Sequence, residues 1–189
     1  ILIDGQPIQS WNPRSLRKQM SYVQQDVFLF SDTIRNNILF GNPELGDAEM
    51  RHASLQSDLL ENVEGFEKKF ETMIGERGIT LSGGQKQRVS IARALVLKPR
   101  VLILDDCLSA VDTRTENTIL SHLKQEMKDK TTLIISHRIS SVNLADTILV
   151  MDEGRIVQSG NHDELIKVEG PYKALYEKQL VTEETGSDS

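Results

Sequence analysis

An uninterrupted apolar run, Val101-Leu102-Ile103-Leu104, and a second run that reads as a buried strand, Thr131-Thr132-Leu133-Ile134-Ile135, constrain this chain more than any other feature. A strand with one wet face alternates apolar and polar residues, whereas a continuous apolar run is the pattern of a strand buried on both faces in a parallel sheet. Between the runs, Ile119, Leu120, Leu123 and Met127 are spaced for the inward side of a helix over residues 113–128, with Asp112 as its N-cap. Strand, helix, strand in this order predicts an α/β fold with a mostly parallel sheet flanked by helices.

The remaining chain fits around that unit. Residues 1–5 read as a strand entering a turn, 6–12 as irregular, 13–17 as a short helix with proline at its start, and 20–24 as a strand. Ile34, Ile38 and Leu39 space a helix over 32–40 that Gly41-Asn42-Pro43 would stop. Met50, Ala53, Leu55, Leu59 and Leu60 space another from 47 to about 62. These helices and the one ended by Pro99 form an expected helical subdomain over about 32–98. Strands are expected again at 147–151 and 155–158, joined by Asp152-Glu153-Gly154, then helices at 162–168 and 172–180. Residues 1–180 are thus read as one domain, and the polar, acidic stretch 181–189 as a disordered tail.

At 189 residues and 38% apolar content the chain can bury a real core. Its net charge of −6 argues against a nucleic-acid partner. A single cysteine, Cys107, excludes an intrachain disulfide and fits a reducing compartment. No apolar run approaches the roughly 18 residues that would span a bilayer.

Leu81-Ser82-Gly83-Gly84-Gln85 runs directly into a helix-forming stretch. Ser82 and Gln85 are placed for a capping box. The glycines are not explained by it, because each costs roughly 1 kcal/mol in a helix relative to alanine. What they permit is close approach of bare N–H groups to an anion, reinforced by the positive end of the helix dipole. The loop reads as a phosphate-facing helix start.

Three strands end in polar residues: Gln25, the pair Asp105-Asp106, and His137. In open α/β sheets ligands bind beyond the carboxyl ends of the strands. There a carboxylate such as Asp105 and an amide oxygen such as that of Gln25 can hold Mg²⁺, and a histidine can contact a terminal phosphate.

Together these motifs resemble the nucleotide-binding domain of an ABC transporter over nearly the whole chain. Residues 81–85 match the LSGGQ signature, 101–105 the Walker B strand, Gln25 the Q-loop glutamine, Ser109-Ala110-Val111-Asp112 the D-loop and His137 the switch histidine. Thr72-Met73-Ile74-Gly75-Glu76-Arg77-Gly78 resembles the TxxGERG segment of exporters, which implies that Glu76 and Arg77 lie near the coupling helices of a membrane domain.

The resemblance implies a P-loop NTPase-like fold with an inserted signature subdomain, and ATP and Mg²⁺ as ligands. A second such domain is implied as partner, with the two sandwiching two ATP molecules head to tail. Ser82, Gly83, Gly84 and Gln85 would then serve the ATP held by the partner, with Asp112 at the dimer D-loop. Asp106 and His137 would be the catalytic pair and Asp105 and Gln25 the metal ligands. A transmembrane domain is expected upstream and the setting is the cytoplasmic face of a membrane, in bacteria the inner one.

Two departures qualify this expectation. No GxxxxGK(S/T) phosphate loop occurs, so the chain is expected to be N-terminally truncated and inactive alone. At position 106 the family's usual catalytic glutamate is an aspartate, whose carboxylate is withdrawn by about 1.5 Å. A base must lie within about 3 Å of its water, and a misplacement of about 1 Å costs on the order of 100-fold. The expected consequence is a heterodimer in which this chain carries the slow, degenerate site and completes the partner's active one. The rival readings are a soluble ABC ATPase acting on ribosomes or DNA ends, and a regulatory module that binds ATP without turnover.

Overall fold

The computed structural model describes residues 1–75, 78–128 and 130–186, and its internal contacts divide the chain after Ile134 into two units.

The first unit opens with an antiparallel hairpin, β1 (Leu2–Ile3) and β2 (Gln6–Pro7), where the sequence predicts irregular chain after residue 5. Asp4 and Gly5 both take the left-handed conformation, which matches the twist of a two-residue hairpin turn. A 3-10 turn (Ile8–Ser10) leads to α1 (Pro13–Arg17), capped by Asn12, whose side chain accepts from the N–H groups of Arg14 and Ser15.

The sheet of this unit has the order β3 (Met20–Val23), β4 (Val101–Asp105), β5 (Thr131–Ile135). Strands β3 and β4 run parallel, with Tyr22 beside Ile103 and Val23 beside Leu104. Leu102 and Leu104 are buried, while Val101 and Ile103 are half-buried, so β4 comes near the doubly covered strand its sequence predicts. For β5 that expectation fails: Leu133 and Ile135 are 50% and 46% exposed. Leu133 and Ile135 share the exposed face of β5 with Thr131, while Thr132 and Ile134 on the opposite face are half-buried.

Packed with this sheet are α2 (Ile34–Leu39), α3 (Asp47–Gln56), α4 (Leu60–Glu64), α5 (Gly83–Leu95) and α6 (Thr113–Glu126). The helix predicted from 47 to about 62 is two helices. Asp58 adopts φ +55° between them, which no α-helix continues through, and its carbonyl accepts from Arg88 of α5 at 2.6 Å. The core runs through Val23, Ile34, Met50, Val89, Leu102 and Ile119. Full burial of such side chains stabilises by about 1.5–3 kcal/mol each. Val89, Ala92 and Val96 are buried, as the helical spacing of α5 predicts. Arg93 leaves α5 in another direction and donates to the carbonyls of Phe28 and Asn37 and to Asn37 Oδ1, tying the loop after β3 to α2 and α5.

The second unit contains α7 (Ile139–Val142), the hairpin β6 (Ile148–Asp152) and β7 (Arg155–Gly160), α8 (His162–Leu165) and α9 (Pro171–Gly186). Glu153 and Gly154, both at positive φ, make the predicted hairpin turn. The core here is Ile139, Ile148, Leu165 and Tyr172. Helix α7 is not foreseen, being a single turn with too few residues for a periodic signal. Helix α9 continues past Leu180 to Gly186, through Thr182, Glu183, Glu184 and Thr185, and the last three residues of the expected tail lie outside the described residues. Glutamate is a good helix former and glycine a common helix end, so the stretch from 182 to 186 is compatible with a last turn despite its polarity.

Candidate functional site

The capping box at the start of α5 forms as its residues predict. Ser82 Oγ accepts from the Gln85 N–H at 3.2 Å, and Gln85 Oε1 accepts from the Ser82 N–H at 2.9 Å. These bonds occupy the N–H groups of Ser82 and Gln85. Helix geometry offers no intrahelical acceptor to those of Gly83 and Gly84, which remain at the positive end of a 13-residue helix.

The two glycines differ. A Cβ on Gly84 would sit 3.0 Å from the Ala110 carbonyl oxygen and 3.4 Å from Val111 Cγ1, tighter than ordinary contact. On Gly83 it would meet only Ala110 Cβ, at 3.6 Å. The anion reading of both glycines therefore gains a second cause at one of them, because Gly84 is small so that α5 can lie against the loop 109–111. Gln87, one turn further and buried, fastens the same loop by accepting from the Ala110 N–H at 3.1 Å. Sequence reasoning missed Gln87; the available signal was a polar residue among the apolar positions of α5.

The loop itself leaves β4 at Asp106, whose φ is +42°. Among residues with a side chain, aspartate is one of the few that adopts this conformation readily, which gives Asp106 a backbone reason as well as a chemical one to be aspartate. The Asp106 carbonyl accepts from both Ser109 Oγ, at 2.9 Å, and the Ser109 N–H, at 3.4 Å. Asp112 then caps α6, with Oδ1 accepting from the Thr115 N–H at 3.0 Å, and the backbone N–H of Thr115 is the main cause holding its carboxyl below the usual value. Cys107, between them, is buried, and desolvation pushes its thiol up to about 12, which makes it an inert core residue.

At the carboxyl end of β4 the predicted residues do meet, with a pairing the sequence does not reveal. Gln25 Nε2 donates to Asp106 Oδ2 at 3.4 Å. Asp105 Oδ2 instead accepts from Tyr22 OH at 2.6 Å. That bond raises the Tyr22 phenol above its ordinary value. Tyr22 is a partner the sequence reading overlooked, since the register that sets it beside Ile103 is visible only in the sheet.

For Mg²⁺ the donors here are hard oxygens: Asp105 retains Oδ1, and a glutamine donating from Nε2 retains Oε1. Among the described residues no group of three or more histidine, cysteine or carboxylate side chains could hold a metal ion. The set fits a Mg²⁺ that takes one or two protein oxygens and completes its shell with phosphate and water.

His137 belongs to the second unit. Its side chain is exposed and its carbonyl accepts from Gln179 Nε2 at 2.7 Å. Glu76 and Arg77, expected at a membrane-domain contact, lie outside the described residues.

Comparison with known proteins places the chain in a family. Residues 1–109 match the family described as ABC transporter. An ATP-dependent lipid A-core flippase of Hahella chejuensis is 48% identical over 95% of this chain and 31% of its own length. A probable multidrug resistance ABC transporter ATP-binding/permease protein of Bacillus subtilis is 46% identical over 98% of this chain and 32% of its own. A solved bacterial Atm1-family ABC exporter with ATP bound superposes with a TM-score of 0.89 at 41% identity, over 95% of this chain and 32% of that one. The chain thus spans about a third of the length of these relatives, and its α/β fold is that of the ABC exporter structure. Among the described residues no helix is long and apolar enough to cross a membrane.

Proposed function

Since the chain belongs to the ABC transporter family, we propose that it is the ATP-binding and hydrolysing part of an exporter subunit, working at the cytoplasmic face of a membrane beside its own transmembrane domain. A second nucleotide-binding domain, preferably a different one, packs against it head to tail. ATP binding closes the pair and hydrolysis reopens it, a ligand-biased two-state motion that drives transport. The segment of residues 1–189 alone, which contains no GxxxxGK(S/T) loop, does not turn over ATP.

In this reading the amides of Gly83 and Gly84, with Ser82, bind the terminal phosphate of the partner's ATP and stabilise charge on it as it is transferred. Gln85 keeps the helix start in shape through the capping box. Asp112 fixes the end of the D-loop as the cap of α6. On this chain's own nucleotide, Asp105 and Gln25 would hold Mg²⁺, which when bound supplies charge neutralisation on the phosphates. Asp106 is the group available to take a proton from the attacking water, and His137 contacts the terminal phosphate. Coupling to the membrane domain is assigned to Glu76 and Arg77 on the likeness of residues 72–78 to the exporter segment.

The observation that carries the proposal is the meeting of Gln25, Asp105 and Asp106 at the end of β4, together with an N-terminus of α5 free to receive an anion. A specific observation also favours a slow own site. Asp105 is already engaged by Tyr22 and Asp106 by Gln25, on a carboxylate one methylene shorter than the family's glutamate. Asp106→Asn tests this in the full-length pair. Turnover is expected to stay within about twofold, while loss of the partner's catalytic carboxylate lowers it by about 100-fold or more. Equal losses would remove the degenerate-site reading, and trapped ATP without turnover at either site would favour the regulatory module.

A further inference from the structure

The turn that carries His137 is gripped by one side chain from another helix. Gln179, on α9, donates from Nε2 to the His137 carbonyl at 2.7 Å and accepts at Oε1 from the Ile139 N–H at 2.9 Å. A single carboxamide therefore bridges the backbone on both sides of Arg138. On its own side the turn is held by Ser136 Oγ, which accepts from the Arg138 N–H at 3.0 Å. Ile139 is buried in the core of the second unit. The imidazole itself is exposed, so its direction depends on how its backbone is held.

Half of this contact has a plain structural purpose. Helix α7 starts at Ile139 with no side-chain cap of its own at Arg138, and Gln179 Oε1 fills that place. The other half does not: capping needs an acceptor only, whereas Nε2 reaches back to His137, outside the helix. Glutamine is suited to both tasks at once. Glutamate lacks the donor, lysine lacks the acceptor, and asparagine is shorter by about 1.5 Å.

We propose that Gln179 is a positioning residue for His137, fixing the backbone turn from which the imidazole projects and so supporting the phosphate contact that the proposed function gives it. The inference rests on the reading of His137 as that phosphate contact. Through Gln179, the seating of α9 sets how well the site distinguishes ATP from ADP.

Gln179→Glu separates the two halves, keeping the acceptor for Ile139 and losing the donor to His137. The test uses the full-length pair with the partner's phosphate loop inactivated, so that only this chain's site binds nucleotide. Gln179→Glu and Gln179→Ala are expected to lower the preference for ATP over ADP about tenfold, as His137→Ala does, with ADP affinity unchanged. The double variants with His137→Ala should lose nothing more. A merely structural role would instead weaken both nucleotides alike. Preference retained in Gln179→Glu but lost in His137→Ala overturns the inference. If His137→Ala itself keeps the preference, the phosphate-contact reading fails, and the positioning is then judged from the His137 ring resonance in histidine-labelled, nucleotide-free protein. That resonance is expected to shift in Gln179→Glu, and an unmoved resonance overturns the proposal.

Discussion

The start of α5 and the carboxyl end of β4 both present polar groups at the tip of a regular element, yet they are finished differently. At β4 the carboxylates already have partners inside the chain, Tyr22 on Asp105 and Gln25 on Asp106. At α5 the internal bonds stop at the capping box and leave the amides of Gly83 and Gly84 without an intrahelical acceptor. At one tip each carboxylate has a partner within the chain, and at the other two backbone amides have no acceptor within their helix. The proposed function builds on this difference, giving the start of α5 to a partner's nucleotide.

The hardest blow to this contrast should come at Gly84. A valine there drives its Cβ to within 3.0 Å of the Ala110 carbonyl, displacing the D-loop from α5 and blocking the amide pair. Gly84→Val is expected to lower turnover of the full-length pair by about 10²–10³-fold, measured as phosphate release. A loss confined to nucleotide bound by this chain's own Walker B would break the contrast. A smaller effect sharpens its other side. Tyr22→Phe frees Asp105 Oδ2 and is expected to raise the affinity of this chain's own site for Mg²⁺–ATP about two- to fivefold, read by equilibrium binding with the partner's site inactivated. An unchanged or weakened affinity would mean that the Tyr22 contact supports the site and does not occupy it.

Much of this was legible in residue order. The apolar run at 101–104 announced β4, the spacing of Ile119, Leu120 and Leu123 announced α6, and Ser82 with Gln85 announced the capping box. Local rules are sufficient there, because period and capping depend on neighbours within a turn or two. What stayed hidden depends on contacts across the fold. Leu133 and Ile135 look like core residues, yet they share the exposed face of β5, and which face of a strand is covered depends on what packs on it from elsewhere in the fold. The pairing of Tyr22 with Asp105 depends on strand register, and the need for Gly84 to be small depends on where the loop 109–111 passes. Asp58 breaks a predicted helix through its φ alone, a conformation aspartate tolerates but does not signal. Gln179 lies 42 residues from the carbonyl it holds, a separation no local pattern reports.

In the proposed function the glycine-lined start of α5 completes a hydrolysing site on the partner while Asp106 serves a slow one. Trapping of labelled nucleotide with vanadate during turnover, followed by identification of the subunit whose site holds it, tests this directly. Label is predicted at the partner's nucleotide site, and Gly84→Val in this chain should abolish it there. Equal trapping at both sites, or trapping at the partner's site that survives Gly84→Val, would contradict the account.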